Sequence, residues 1–235
     1  MKFDLFLFDL DDTLLDFRAS EKLSFERSLE GILPADSLAD LFHSYQIENR
    51  KLWQLFEEGN TTKDELKVER FRKTFSLHKI DADPELASRK YLEALPETVV
   101  LIDHAVEILE WLHPQGEIGI ITNGIHHTQT QRIKNSPLGK YISFVSVSEE
   151  CGFAKPDIRF FEHSSKMARS FDKNKAIVIG DRWEADIIGA HNFGVASCWF
   201  NPEGKVRPGD LPTVEVKHLS EIRNIISVSS WPWSR

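Results

Sequence analysis

The sequence predicts an α/β protein: a parallel sheet with chemistry at its strand ends, interrupted once by an all-helical insert. Three observations predict it. Short apolar runs rich in Ile, Val and Phe end three times at polar residues: FDLFLF (3–8) at Asp9, EIGIIT (117–122) at Thr122, and AIVIG (176–180) at Asp181. Runs with so little alternation suit parallel strands buried on both faces. Helical patterns separate them, and alternating strands and helices imply right-handed crossovers. Residues 17 to 97 break this rhythm, with helical patterns and no convincing strand.

In chain order, FDLFLF is the first strand and runs into FDLDDTLLD (8–16), with Asp9, Asp11 and Asp12 crowded together. SEKLSFERSLEG (20–31) reads as a helix from a Ser20 cap to Gly31, and residues 36–57 as a long amphipathic helix. Thr62-Lys63-Asp64-Glu65 fits a capping box. Asp83-Pro84 fits an N-cap with Pro at the first helical position. DHAVEILEWLH (103–113) places Val106, Leu109 and Leu112 at helical spacing, with Pro114 as its stop. HTQTQRIKN (127–135) is a weaker helix, PDIRFFEHSSKMARS (156–170) opens at Pro156, and EADIIGAHNFG (184–194) closes on Gly194. FVSVS (144–148) and VASCWF (195–200) are two further strands, and the tail WPWSR (231–235) is a loose end.

Composition narrows the function classes. Lys and Arg number 29 against 37 Asp and Glu, a net charge of −8, with no basic run, which argues against a nucleic-acid surface. Cys151 and Cys198 lie far apart and imply neither a disulfide framework nor a metal spacing. No apolar run approaches the ~20 residues of a membrane span. The expectation is a cytoplasmic protein.

If the first strand is central, with 117–122 and 176–180 beside it, Asp9, Thr122 and Asp181 meet beyond the carboxyl ends of the strands, where ligands bind in open parallel sheets. Asp11 and Asp186 approach from adjoining turns. Converging carboxylates call for an oxygen-loving cation, and magnesium fits one or two protein carboxylates with phosphate completing its shell. Lys155 can neutralise a phosphate, and Thr122 with the backbone N–H groups of Asn123 and Gly124 can donate to its oxygens. A carboxylate facing phosphorus is a nucleophile candidate, and a second one two residues on can move protons.

These residues resemble the haloacid dehalogenase (HAD) superfamily of phosphatases, whose four motifs occur here in order. They are Asp9-Leu10-Asp11-Asp12-Thr13, Thr122-Asn123-Gly124, Lys155-Pro156, and Gly180-Asp181 with Asp186. The resemblance implies Asp9 as nucleophile and Asp11 as general acid/base. It implies magnesium held by Asp9, the Asp11 carbonyl and Asp181, with Asp186 in support, and phosphate bound by Thr122 and Lys155. Residues 1–16 with 98–235 would form a Rossmann-like catalytic core, and 17–97 the mobile helical cap. GIITNGIHHTQTQRIKNSPLGKYI, SEECGFAKP and ASCWFNP are similar to the bacterial pyrimidine 5′-nucleotidases of the superfamily. The fourth motif departs from that group with Arg182-Trp183 where small polar residues are usual, and Arg182 is expected to stay clear of the metal.

The expected partner is thus a small phosphorylated metabolite, with nucleoside 5′-monophosphates preferred and a sugar phosphate as the alternative. A phospho-acceptor signalling module uses a similar acidic cluster, but needs neither Asp11 nor a long insert. A haloacid dehalogenase would share the nucleophile without needing the magnesium set. Asp12 is expected to serve the turn, and His126 and His127 to start a helix.

Overall fold

A computed structural model describes residues 3–34 and 37–227. The chain forms two compact units, one made of the residues up to Phe17 and those from Val100 onward, the other of Arg18–Val99.

The first unit is built on a six-stranded parallel sheet. Its strands are β1 (Leu5–Phe8), β2 (Glu117–Thr122), β3 (Phe144–Val147), β4 (Ala176–Gly180), β5 (Ala196–Phe200) and β6 (Val214–Val216). The order is β3-β2-β1-β4-β5-β6, so β1 is central. Leu7 lies level with Gly119 on one side and Val178 on the other. All four residues of β1 are buried, as a two-faced strand requires. Strand order reverses beside β1, which puts the ends of β1, β2 and β4 at one switch point.

Helices α5 (Ala105–Leu112), α6 (His126–Lys134), α7 (Ser148–Cys151), α8 (Ile158–Met167), α9 (Gly189–Phe193) and α10 (Ile222–Ser227) belong to this unit. Phe161 stacks on Phe193 at 5.8 Å and Phe171 on Phe193 at 5.5 Å, within a core shared with Leu5, Leu7 and Val178. The region expected to begin with Pro156 starts its helix at Ile158, after Asp157 caps the N-terminus through the Arg159 N–H. Residues 184–194 are not one α-helix. A π-helix spans Trp183–Ile188, α9 follows, and Gly194 closes it in the left-handed conformation.

Where the chain leaves and re-enters this unit, its two strands are clasped. The Asp16 N–H donates to Val100 O at 2.9 Å, the Ile102 N–H to Leu14 O at 3.0 Å, and Leu15 pairs antiparallel with Leu101.

The second unit is helical: α1 (Phe17–Leu29, entered from the first unit), α2 (Leu38–Glu57), α3 (Lys63–His78) and α4 (Pro84–Ala94). Its centre is aromatic. Tyr45 lies 4.8 Å from Phe25, 5.0 Å from Phe71 and 5.7 Å from Tyr91, ring to ring. The Arg70 guanidinium stacks 4.4 Å over Tyr91. The Thr62–Glu65 capping box and the Asp83 cap before Pro84 form as their sequences predict.

Ser20 is not the expected cap: α1 starts at Phe17 and buries Ser20 inside the helix. The Asp12 carboxylate serves that end instead, accepting from the Phe17 N–H at 3.0 Å. The WPWSR tail lies outside the described residues, within which no helix is long and apolar enough to cross a membrane.

Candidate functional site

Asp9 extends the end of β1, its N–H donating to Ile179 O at 2.8 Å. The chain then turns tightly: the Leu14 and Leu15 N–H groups both donate to Leu10 O, and Asp12 takes φ 59. That left-handed conformation suits Asp, whose short side chain tolerates it, and supports a turn role for Asp12. The turn carries Asp11 two residues past Asp9. Thr13 Oγ1 donates to Asp9 Oδ2 at 3.2 Å.

Three carboxylates converge at the switch point. Ligand atoms of Asp9, Asp181 and Asp186 all lie within 4.8 Å of one another. Asp181 directly follows β4, and Asp186 comes from the π-helix, whose wider turn is a frequent device at functional sites. Asp186 is fully buried: its Oδ2 accepts the Arg182 N–H at 3.1 Å and its Oδ1 accepts Lys155 Nζ at 2.7 Å. Its close approach to β4 requires Gly180, where a Cβ would stand 2.3 Å from the Asp186 carboxylate. The side chain of Arg182 is exposed.

Lys155 is buried, and all three of its donors are used within the protein, on Asp9 Oδ1 at 2.6 Å, Asp186 Oδ1 at 2.7 Å and Ile121 O at 2.8 Å. The Asn123 side chain holds the Lys155 backbone, donating to its carbonyl at 2.9 Å and accepting its N–H at 2.8 Å. The Gly124 N–H donates to Thr122 Oγ1 at 3.1 Å. His126 opens α6, its N–H donating to Glu149 Oε2 at 2.6 Å.

Charge balance explains the titration of the cluster. Burial raises Asp9 to about 7; the Lys155 ammonium opposes the rise, while Asp186 and Asp11 add to it. Burial, then repulsion from Asp9 and Asp186, raises Asp181 to about 8. Burial disfavours the charge of Lys155, but Asp186 and Asp9 outweigh it and hold the amine above its ordinary value. One ammonium does not neutralise three carboxylates. Asp181 Oδ1 is also buried without a hydrogen-bond partner among the described residues. An unspent carboxylate oxygen among hard oxygen donors fits a divalent cation such as magnesium.

Two site residues escaped the sequence reading. The buried Arg132 on α6 donates through Nη1 to Asp11 Oδ1, and Gln129 donates through Nε2 to Asp11 Oδ2 at 2.6 Å and to Thr122 Oγ1 at 3.0 Å. The available signal was the polarity of HTQTQRIK, which leaves α6 few apolar residues to bury. Behind Asp181, the Trp199 indole on β5 donates to the Asp181 carbonyl at 2.8 Å, and its ring meets Trp183 edge-on at 5.1 Å.

The profile of the family described as "Haloacid dehalogenase-like hydrolase" matches residues 6–200. The chain is 35% identical over 226 residues to the HAD-hydrolase YfnB of Bacillus subtilis, covering 95% of each protein. The crystal structure of YfnB bound to magnesium superposes with a TM-score of 0.89, covering 97% of this chain and 100% of that one. Identity is 30% over 230 residues to the pyrimidine 5′-nucleotidase YjjG of Escherichia coli, covering 96% and 99%. It is 33% over 206 residues to the pyrimidine 5′-nucleotidase PynA of Streptococcus pneumoniae, covering 86% and 85%. The sheet order, the acidic switch point and these likenesses agree: the chain belongs to the haloacid dehalogenase-like hydrolases.

Proposed function

We propose that the protein is a magnesium-dependent phosphomonoesterase that works through a phosphorylated Asp9, with nucleoside 5′-monophosphates as its substrate class. The observation that carries the reading is the placement of Asp9: buried at the central strand end, bonded to Lys155, and gathered with Asp181 and Asp186. Residues 1–16 with 98–235 are the catalytic core, and 17–97 the cap that selects the substrate.

Each residue has a task in this reading. Asp9, whose ionised form Lys155 favours, bonds to phosphorus while the ester bond to the leaving oxygen breaks. Asp11 gives that oxygen a proton, then takes one from the water that hydrolyses the aspartyl-phosphate. Thr122 and the Asn123–Gly124 backbone receive the phosphoryl oxygens, and Asn123 fixes the Lys155 backbone. Asp9, the Asp11 carbonyl and Asp181, with Asp186 behind them, would hold magnesium, which when bound would supply positive charge against the phosphoryl oxygens.

The nucleotide class rests on the relatives YjjG and PynA, both named pyrimidine 5′-nucleotidases. A sugar phosphate or other small phosphate ester is the alternative within the same chemistry. A phospho-acceptor signalling module is disfavoured by Asp11, since rapid hydrolysis defeats signalling. A haloacid dehalogenase would share the nucleophile without needing the magnesium set, and Asp11 and Asp181 argue against it. Phosphate release is measured over a panel of nucleotides and sugar phosphates, with magnesium and with a chelator. Turnover of nucleoside monophosphates that requires magnesium and disappears in Asp9→Asn is the expected result. Activity on sugar phosphates alone removes the nucleotide assignment, and activity surviving in Asp9→Asn removes the mechanism.

A further inference from the structure

Helix α6 spends its buried face on polar residues, Thr128, Gln129 and Arg132 beside Ile133. Burying an arginine and an amide is costly unless partners compensate. The partners here lead to the site. Arg132 Nη1 donates to Asp11 Oδ1 and, at 2.9 Å, to Gln129 Oε1. Gln129 Nε2 donates to Asp11 Oδ2 at 2.6 Å and to Thr122 Oγ1 at 3.0 Å. Arg132 Nε and Nη2 have no hydrogen-bond acceptor among the described residues, and the guanidinium rests 5.5 Å from the Phe17 ring. A cation buried with donors unspent is a poor stability device. Room is kept for the arrangement at Gly124, where a Cβ would stand 2.3 Å from Gln129 Nε2.

We propose, building on the phosphatase reading above, that Arg132 and Gln129 are positioning residues for proton transfer, fixing both oxygens of Asp11 and tying its orientation to the phosphate-receiving hydroxyl of Thr122. The Asp11 side chain is 30% exposed on a turn, and without this clamp it is free to rotate away from the leaving oxygen. Thr122 Oγ1 accepts from both Gln129 Nε2 and the Gly124 N–H. With two lone pairs occupied, its own hydrogen is left to donate to a phosphoryl oxygen. One amide nitrogen thus orients the phosphate donor and the proton carrier together.

In the first half-reaction the Asp9 oxygen bonds to phosphorus, and the electron pair of the ester P–O bond passes to the leaving oxygen, which takes the Asp11 proton. In the second, a water oxygen bonds to phosphorus, its proton passes to Asp11, and the pair of the P–O bond to Asp9 returns to the carboxylate. An alkyl leaving oxygen needs the proton; a weakly basic aryl oxide leaves without it. Misplacing Asp11 therefore injures the first half-reaction selectively, whereas general damage to the site injures it for every ester.

The test compares rapid-mixing kinetics of the unmodified protein, Gln129→Leu, Arg132→Met and Arg132→Lys with magnesium, on p-nitrophenyl phosphate and on an alkyl phosphate. Expected in Arg132→Met is aspartyl-phosphate formation from the aryl ester within about threefold of the unmodified rate, against a loss of roughly a hundredfold from the alkyl ester, while Gln129→Leu, which also releases Thr122, loses formation from both esters and at least about tenfold more from the alkyl one. Hydrolysis of the intermediate, the same from either ester, slows, so aspartyl-phosphate accumulates from the aryl ester, and Arg132→Lys recovers part of the loss because it keeps the charge without the fork. Gln129→Leu removes no charge and carries the test if Arg132→Met does not fold. Equal losses in formation from both esters, or unchanged or faster turnover, overturn the positioning role while the phosphatase reading stands. An unmodified protein that releases phosphate from no ester overturns both.

Discussion

Lys155 Nζ stands between two carboxylates, 2.6 Å from Asp9 and 2.7 Å from Asp186, and all three side chains are buried. Breaking such a group from one side leaves uncompensated charge in the interior. Lys155→Met is expected to lower stability by roughly 3–5 kcal/mol, read by denaturant unfolding without metal. Phosphate release falls with it, because Asp9 loses the cation that favours its ionised form. A Met variant as stable as the unmodified protein would show that the lysine charge is not compensating the aspartates.

The cluster makes a signed prediction about pH. Asp9, raised to about 7, and Asp181, raised to about 8, hold protons that an unfolded chain with carboxylates near 3.8 has released. The folded metal-free protein therefore binds more protons across that window, and the contribution of these groups to stability falls as pH rises through it. Magnesium competes with those protons. Its stabilising effect, read as the rise in Tm on adding the metal, is expected to be larger at about pH 8 than at about pH 6. Equal rises at both pH values would count against metal binding by these carboxylates.

Gly180 is needed for the contact its neighbour makes. A methyl at this position meets the Asp186 carboxylate at 2.3 Å, and Asp186 is fixed by Lys155 and the Arg182 N–H. Gly180→Ala is expected to cost about 1–3 kcal/mol in thermal unfolding. Turnover is expected to fall about tenfold as the support behind the metal ligands shifts. Full activity in this variant would mean that Asp186 moves without consequence.

Trp199 fixes the Asp181 backbone from behind through its 2.8 Å hydrogen bond. Trp199→Phe keeps the ring and removes the N–H. Magnesium affinity, followed by calorimetric titration, is expected to weaken by about tenfold. Unchanged affinity would reduce the tryptophan to packing.

Much of this was legible in the sequence because strand and chemistry share one signal. β2 and β4 run over the residues their apolar runs predicted, β2 ending at Thr122 and β4 at Gly180, one residue before Asp181. The central position of β1 followed from asking where Asp9, Thr122 and Asp181 meet. What was not legible depended on tertiary partners. β6 is three residues long and follows NPEGKVRPGDLPT, too short for a periodic signal. The π-helix keeps the apolar spacing of an α-helix, so its extra residue per turn is invisible until Asp186 is seen buried. Ser20 is a good cap by residue type, but Asp12 reaches the first turn from outside the helix and sets its start at Phe17. Gln129 and Arg132 look like solvent-facing residues of a weak helix, and it is Asp11, more than a hundred positions earlier, that partners both of them inside.

The clasp formed by Leu14 and Asp16 with Val100, Leu101 and Ile102 has an architectural consequence. To the sheet, everything from Arg18 to Val99 is the loop of a single hairpin, because its ends are already side by side and hydrogen-bonded. The closure entropy of a loop grows only slowly with its length. A longer, shorter or unrelated insert can thus be exchanged at this point at small cost to the sheet, and the two units can change in sequence and length independently.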